Sequence, residues 1–120
     1  MLLMSKLLRQ SLPALVIVGS CFSASVAHGA ETLSLQQGMD LVKSSACLGC
    51  HAIDKKRLGP GFKQIAQRYS GQPDAETQLV AAIRNGGANK WGAVPMPAQR
   101  HVSVESAALI SNWILSLDTK

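Results

Sequence analysis

The residues in this sequence best suited to chemistry are five in a row, Cys47-Leu48-Gly49-Cys50-His51. C-x-x-C-H is the attachment pattern for c-type haem, and the bonds it makes explain its spacing. Each thiol adds across one vinyl group of the porphyrin, so the two cysteines must reach neighbouring substituents on one edge of the ring. The histidine follows directly, which lets its imidazole turn under the ring and meet the iron. Gly49 suits a crowded turn against the macrocycle. Three other uses of the same residues compete. A thioredoxin-like redox pair needs a preceding strand and a βαβ setting. A structural zinc site needs a third and a fourth ligand at set spacing, and beyond His51 neither Cys nor His occurs until His101. A plain disulfide between residues three apart is strained.

A haem iron has two axial positions, and His51 would fill one. Met39, Met96, His101, His28 or no residue at all could answer for the other. Met96 stands out because it lies in Val94-Pro95-Met96-Pro97. Prolines on both sides deny that loop a helix and stiffen it around one soft thioether donor. Met39 lies on a helical apolar stripe, where methionine is usually core filler. His101 would give bis-histidine ligation but precedes the last helix as a solvent-facing residue. An open sixth position would suit a gas or a peroxide.

The elements that must position these residues read as helices. Ser34 is an N-cap with Gln37 as its capping-box partner, and Leu35, Met39, Val42 and Ala46 recur at helical spacing up to Cys47. A loop over 54–61 ends in Gly59-Pro60-Gly61. Phe62, Ile65, Ala66 and Tyr69 mark a short second helix, stopped by Gly71 and Pro73. Asp74 is the expected cap of a third, with Glu76 in its first turn, Leu79, Val80 and Ile83 on its apolar face, and Asn85-Gly86-Gly87 as its end. Residues 88–102 carry Gly92, Pro95 and Pro97 and cannot be regular helix. Ser103 caps a last helix with an apolar stripe of Ala107, Ile110, Trp113, Ile114 and Leu117. No segment alternates with a period of two, so the expected class is all-α.

Helices this short are marginal alone, since nucleation needs roughly 12–15 residues to repay, and a domain of about 85 residues buries proportionally little surface. Aromatic residues are only 4% of the 120-residue chain, which leaves a thin core. A bound porphyrin would supply both the staple and the missing apolar volume. Hydrophobic residues at 47% against 16% charged exclude a disordered chain. No apolar run reaches the roughly 18 residues of a membrane-spanning helix.

Residues 1–30 have the form of a secretory signal: Lys6 and Arg9, an apolar stretch over Leu12–Val18, then small residues. The domain is then 31–120. The chain as written carries +5; without Lys6 and Arg9, ten basic side chains face seven acidic ones, a net +3. That excess is too mild for a nucleic-acid footprint. Export places the domain outside the cytoplasm, in the periplasm. Val18-Gly19-Ser20-Cys21 also fits a lipoprotein box. If it is used, the signal ends at Cys21 and the protein is lipid-anchored to a membrane facing the periplasm; otherwise no membrane is involved.

Residues 34–118 resemble a small bacterial class I monohaem cytochrome c, of the short periplasmic cytochrome c five-fifty-one type. The resemblance rests on Cys47-Leu48-Gly49-Cys50-His51-Ala52-Ile53-Asp54, Gly59-Pro60, Arg84-Asn85-Gly86, Trp91-Gly92, Pro95-Met96-Pro97 and Trp113-Ile114-Leu115-Ser116. It implies a cytochrome c fold, about four short helices wrapped around one haem c held by two thioether bonds to Cys47 and Cys50, with His51 and Met96 on the iron. It also implies that the Pro60 carbonyl accepts the ring N–H of His51 and that Trp91 hydrogen-bonds a haem propionate. Two departures accompany it. Gln99 stands where the family often has an asparagine bonded to the methionine sulfur, and Ala82 where it often has a basic residue at a propionate, a place Arg84 could take.

The expected function is an electron carrier, not an enzyme: a monomer shuttling single electrons between periplasmic or membrane-bound respiratory partners. Lys55, Lys56 and Arg57 follow the haem motif, with Lys63 nearby and Lys90 on the loop across the ring. They suggest reductases, terminal oxidases or membrane cytochrome complexes with acidic docking patches. Two alternatives stand beside this: a haem subunit or sensor of a larger redox complex, tethered through Cys21, and a small peroxidase, which would need Met96 to leave the iron.

Overall fold

The computed structural model describes residues 32–119. The expected export signal, including Cys21 and His28, lies outside the described residues. Four α-helices follow one another: α1 Leu35–Ser44, α2 Phe62–Tyr69, α3 Ala75–Asn85 and α4 Val104–Leu115. Among the described residues there is no strand, only an isolated antiparallel bridge between Gly87 and Met96. No described helix is long and apolar enough to cross a membrane.

The helix starts follow local rules. The Ser34 hydroxyl accepts from the Gln37 N–H at 3.2 Å, and the Gln37 side chain accepts from the Ser34 N–H at 2.9 Å, a complete capping box. The Ser103 hydroxyl accepts from the Ser106 N–H at 3.0 Å at the start of α4. At Gly61 the N–H donates to the side chain of Gln64 at 2.8 Å. Asp74 departs from expectation. It precedes α3, but its side chain makes no cap bond to the backbone; it accepts instead from the Gln78 side chain at 2.9 Å.

The first helix is also shorter than its apolar spacing suggests. It stops at Ser44, and Ala46 turns left-handed at φ 61. Cys47–Gly49 then forms a separate 3₁₀ turn. The break re-aims the chain, so that the two cysteines leave the axis of α1.

Packing centres on α4, which touches all three other α-helices. Its Trp113 is 1% exposed and packs edge-on to Phe62 of α2, with ring centroids 5.5 Å apart at 71°. On the other side the indole lies directly against Gly38 of α1, where a Cβ would overlap the ring. Glycine in a helix interior is normally unfavourable; here it lets α1 and α4 cross in contact. Gly38→Ala is therefore expected to destabilise the protein by about 2 kcal/mol. Overpacking costs about 1–3 kcal/mol and outweighs the gain in helix propensity of up to about 1 kcal/mol. Urea unfolding of the two proteins measures the difference.

Candidate haem site

The inner faces of α2, α3 and α4 do not close on one another. Ile65, Tyr69, Leu79, Ile83, Ile110 and Ile114 are all buried core residues, yet all six also line a cavity of about 360 Å³. The remaining wall comes from the chain after α1 and from the loop between α3 and α4. Cys47, Cys50, His51, Pro60, Trp91 and Met96 all line this one cavity. These six residues, expected from the sequence to hold the haem, are thus brought to the same place by segments far apart in the chain.

His51 is held from three directions. Its Nδ1 lies 2.7 Å from the Pro60 carbonyl oxygen. A carbonyl only accepts, so Nδ1 is the donor of this bond, and in the tautomer it selects the Nε2 lone pair is the one available to a metal. The ring stacks on Phe62 at 5.4 Å and 17°. Gly59 also lies close to the ring, where a Cβ would come within 2.6 Å of the imidazole. The loop bearing Gly59 and Pro60 is fastened by Gly59 N–H to the Cys50 carbonyl at 2.9 Å, and by Phe62 and Lys63 N–H to the carbonyls of Ala52 and Ile53 at 2.9 and 2.8 Å.

No disulfide joins Cys47 to Cys50. Burial pushes the Cys47 thiol above its ordinary pKa, and the neighbouring Cys50 adds to this against a lowering backbone hydrogen bond. A redox-active C-x-x-C works through the opposite shift. Among the described residues no three His, Cys, Asp or Glu side chains converge as a metal-ion site, which removes the basis of the zinc reading.

Met96 owes its place to backbone pairing. Gly87 N–H donates to the Met96 carbonyl at 2.9 Å and Met96 N–H to the Gly87 carbonyl at 2.8 Å. Gly86, at φ +71, makes the turn out of α3, and a Cβ there would overlap the Met96 carbonyl oxygen. Gln99 N–H ties the far end of the loop to the Ile83 carbonyl at 2.8 Å. The other described candidates for a second axial ligand lie elsewhere. Met39 packs against the core, and His101 is exposed, with Nε2 donating to the Ser45 carbonyl at 3.3 Å.

Two of the departures from the family pattern have structural outcomes. The Gln99 side chain donates to the Pro97 carbonyl at 2.9 Å. Arg84, the residue that could take the place of a basic residue at Ala82, donates through one guanidinium nitrogen to the Arg100 carbonyl at 2.8 Å and to the Val102 carbonyl, and it is not among the residues lining the cavity. Sequence reasoning missed Gly59 as a contact of the histidine ring, the Gly87–Met96 pairing, and Arg68, whose guanidinium lies 4.4 Å from the centre of the Trp91 ring.

These residues fit a haem. Two cysteine sulfurs precede the histidine, its Nδ1 is turned to the Pro60 carbonyl, a thioether stands in the same wall, and core side chains face a space that no other described residue fills. Comparison with known proteins agrees. The Cytochrome c family model matches residues 35–118. Cytochrome c-551 of Pseudomonas aeruginosa is 42% identical over 76 residues, covering 63% of this chain and 72% of that protein. Cytochrome c-551 of Azotobacter vinelandii is 40% identical over 68% of this chain and 98% of its own length. The crystal structure of wild-type Nitrosomonas europaea cytochrome c552 superposes with a TM-score of 0.65 at 39% identity, over 67% of this chain and 99% of that one. With the motif, the cavity and the all-α fold in agreement with these matches, this chain belongs to the cytochrome c family of electron carriers and binds haem c covalently through Cys47 and Cys50.

Proposed function

We propose that this chain is a periplasmic one-electron carrier, exported by a signal over residues 1–30, whose folded domain of 31–120 holds the haem iron between His51 and Met96. The haem supplies, when bound, an iron that gains and loses single electrons. His51 offers Nε2 to the metal, and the Pro60 carbonyl fixes the ring and strengthens it as a donor. Met96 offers a thioether, which raises the reduction potential relative to a second histidine. The apolar wall keeps water away, and the Trp91 indole N–H is assigned to a haem propionate. With His51 and Met96 both holding the iron, no position on it would be left for a substrate, and the chain would carry electrons rather than catalyse.

The observation that carries this reading is the fixed place of Met96. Of the described candidates for a second ligand, it lines the cavity with His51, and paired backbone hydrogen bonds hold it there. Two occupied axial positions predict that the reduced protein does not bind carbon monoxide without denaturant, whereas Met96→Ala binds it readily and has a lower potential. Ready binding by the unaltered protein would favour an open, catalytic iron.

The exposed side of the cavity is the proposed docking surface. Leu58 and Val94 line the cavity and are 61% and 60% exposed, an apolar rim. Lys55 and Lys56 precede Leu58 in the same loop and are exposed, and Lys90 lines the cavity itself. Arg57 belongs less to this surface, since its guanidinium donates to the Leu48 carbonyl at 2.8 Å and braces the haem-motif turn. A partner with acidic residues around an apolar centre fits this arrangement, and complementary charge would speed encounter. Charge reversal by Lys55→Glu with Lys56→Glu should slow electron transfer to such a partner about tenfold at low salt, with the difference fading at high salt. Stopped-flow rates across a salt series test this, and an unchanged rate and salt slope would contradict it.

A further inference from the structure

Trp91 sits in a loop with little else to hold it. Residues 88–95 lie between the two ends of the Gly87–Met96 pair, and Asn89 (φ 63) and Gly92 (φ 118) both adopt left-handed backbone there. Among the described residues no backbone–backbone hydrogen bond involves any of 88–95. A side-chain hydrogen bond reaches the loop from outside it: the Arg68 guanidinium donates to the Lys90 carbonyl. The same guanidinium lies over the Trp91 ring, 4.4 Å from its centre. Arg68 belongs to the last turn of α2, and its neighbour Tyr69 is buried in the cavity wall. One planar side chain thus ties this stretch of the cavity wall to α2.

We propose that Arg68 is a positioning residue for the haem: it clamps the Lys90–Trp91 segment against the cavity and thereby helps to set the reduction potential. The inference rests on the haem assignment but not on Met96 being an axial ligand. Two properties of the side chain matter. A guanidinium is flat and presents several N–H groups, so it can cover an indole face and bond a carbonyl at once, which an ammonium on a flexible stem does poorly. It is also a fixed positive charge beside the cavity wall, and positive charge nearby favours the reduced iron. Arg84 is engaged elsewhere, donating to the Arg100 and Val102 carbonyls on the approach to α4.

The test uses the haem-loaded protein, with Arg68→Gln, Arg68→Lys and, as a charge-loss control elsewhere on α2, Lys63→Gln. Two quantities are read: hydrogen exchange of the Trp91 indole N–H by NMR, and the midpoint potential. Arg68 is exposed, so these changes leave the core intact. Arg68→Gln should speed Trp91 indole exchange about tenfold, as expected when a local opening becomes easier, and lower the potential. Arg68→Lys should also speed exchange, with a smaller fall in potential because the charge is kept. Lys63→Gln should leave exchange unchanged. If Arg68→Gln leaves both quantities at the unaltered values, or if Arg68→Lys restores both in full, the clamp is wrong. Haem absorbance of the unaltered protein is recorded first. Its absence would overturn the haem assignment, whereas normal absorbance with unmoved exchange would overturn the clamp alone.

Discussion

Four short helices turn apolar faces inward but do not fill the space between them. Ile65, Leu79, Ile83 and Ile110 are buried by the fold and at the same time border a cavity of about 360 Å³. A void of that size lined by hydrocarbon forfeits dispersion contacts along its whole surface, and helices of 8 to 12 residues have little intrinsic stability with which to offset it. The architecture therefore depends on a large, flat, apolar group. Haem c meets that need, and its covalent attachment at Cys47 and Cys50 keeps it from being lost.

The same constraint explains where the chain is rigid. One line of contacts runs from His51 to Phe62 by stacking, from Phe62 to Trp113 edge-on, and from Trp113 to the backbone of α1 at Gly38. The imidazole is thus braced by the crossing of the first and last helices. A second line runs from the end of α3 through Gly86 and Gly87 to Met96, and returns to α3 through Gln99 and Ile83. Each of the two residues proposed to hold the iron is backed by its own part of the fold. A centre whose surroundings shift little between oxidation states suits rapid electron exchange.

Much of this was legible from the sequence because its causes are local. Cys47, Cys50 and His51 lie within five residues, Ser34 and Ser103 cap helices through bonds spanning three residues, and Gly86 ends α3 through its own backbone angle. The contacts that escaped are between segments distant in the chain. Gly38 is unremarkable in the pattern of α1, and only Trp113, 75 positions later, makes it necessary. The bonds from Arg84 to the carbonyls of Arg100 and Val102 are likewise invisible in its sequence neighbourhood. Asp74 had the right type and place for a cap, but Gln78, one turn on, offered its side chain a competing partner.

The central claim is that the cofactor is the interior as well as the working part, and a circular dichroism melt of the haem-free chain tests it most directly. In Cys47→Ala/Cys50→Ala protein purified without haem, the account predicts a weak helical signal that fades gradually on heating, beside a sharp transition in the haem-bound protein. A haem-free chain with full helical signal and a sharp cooperative transition would contradict it.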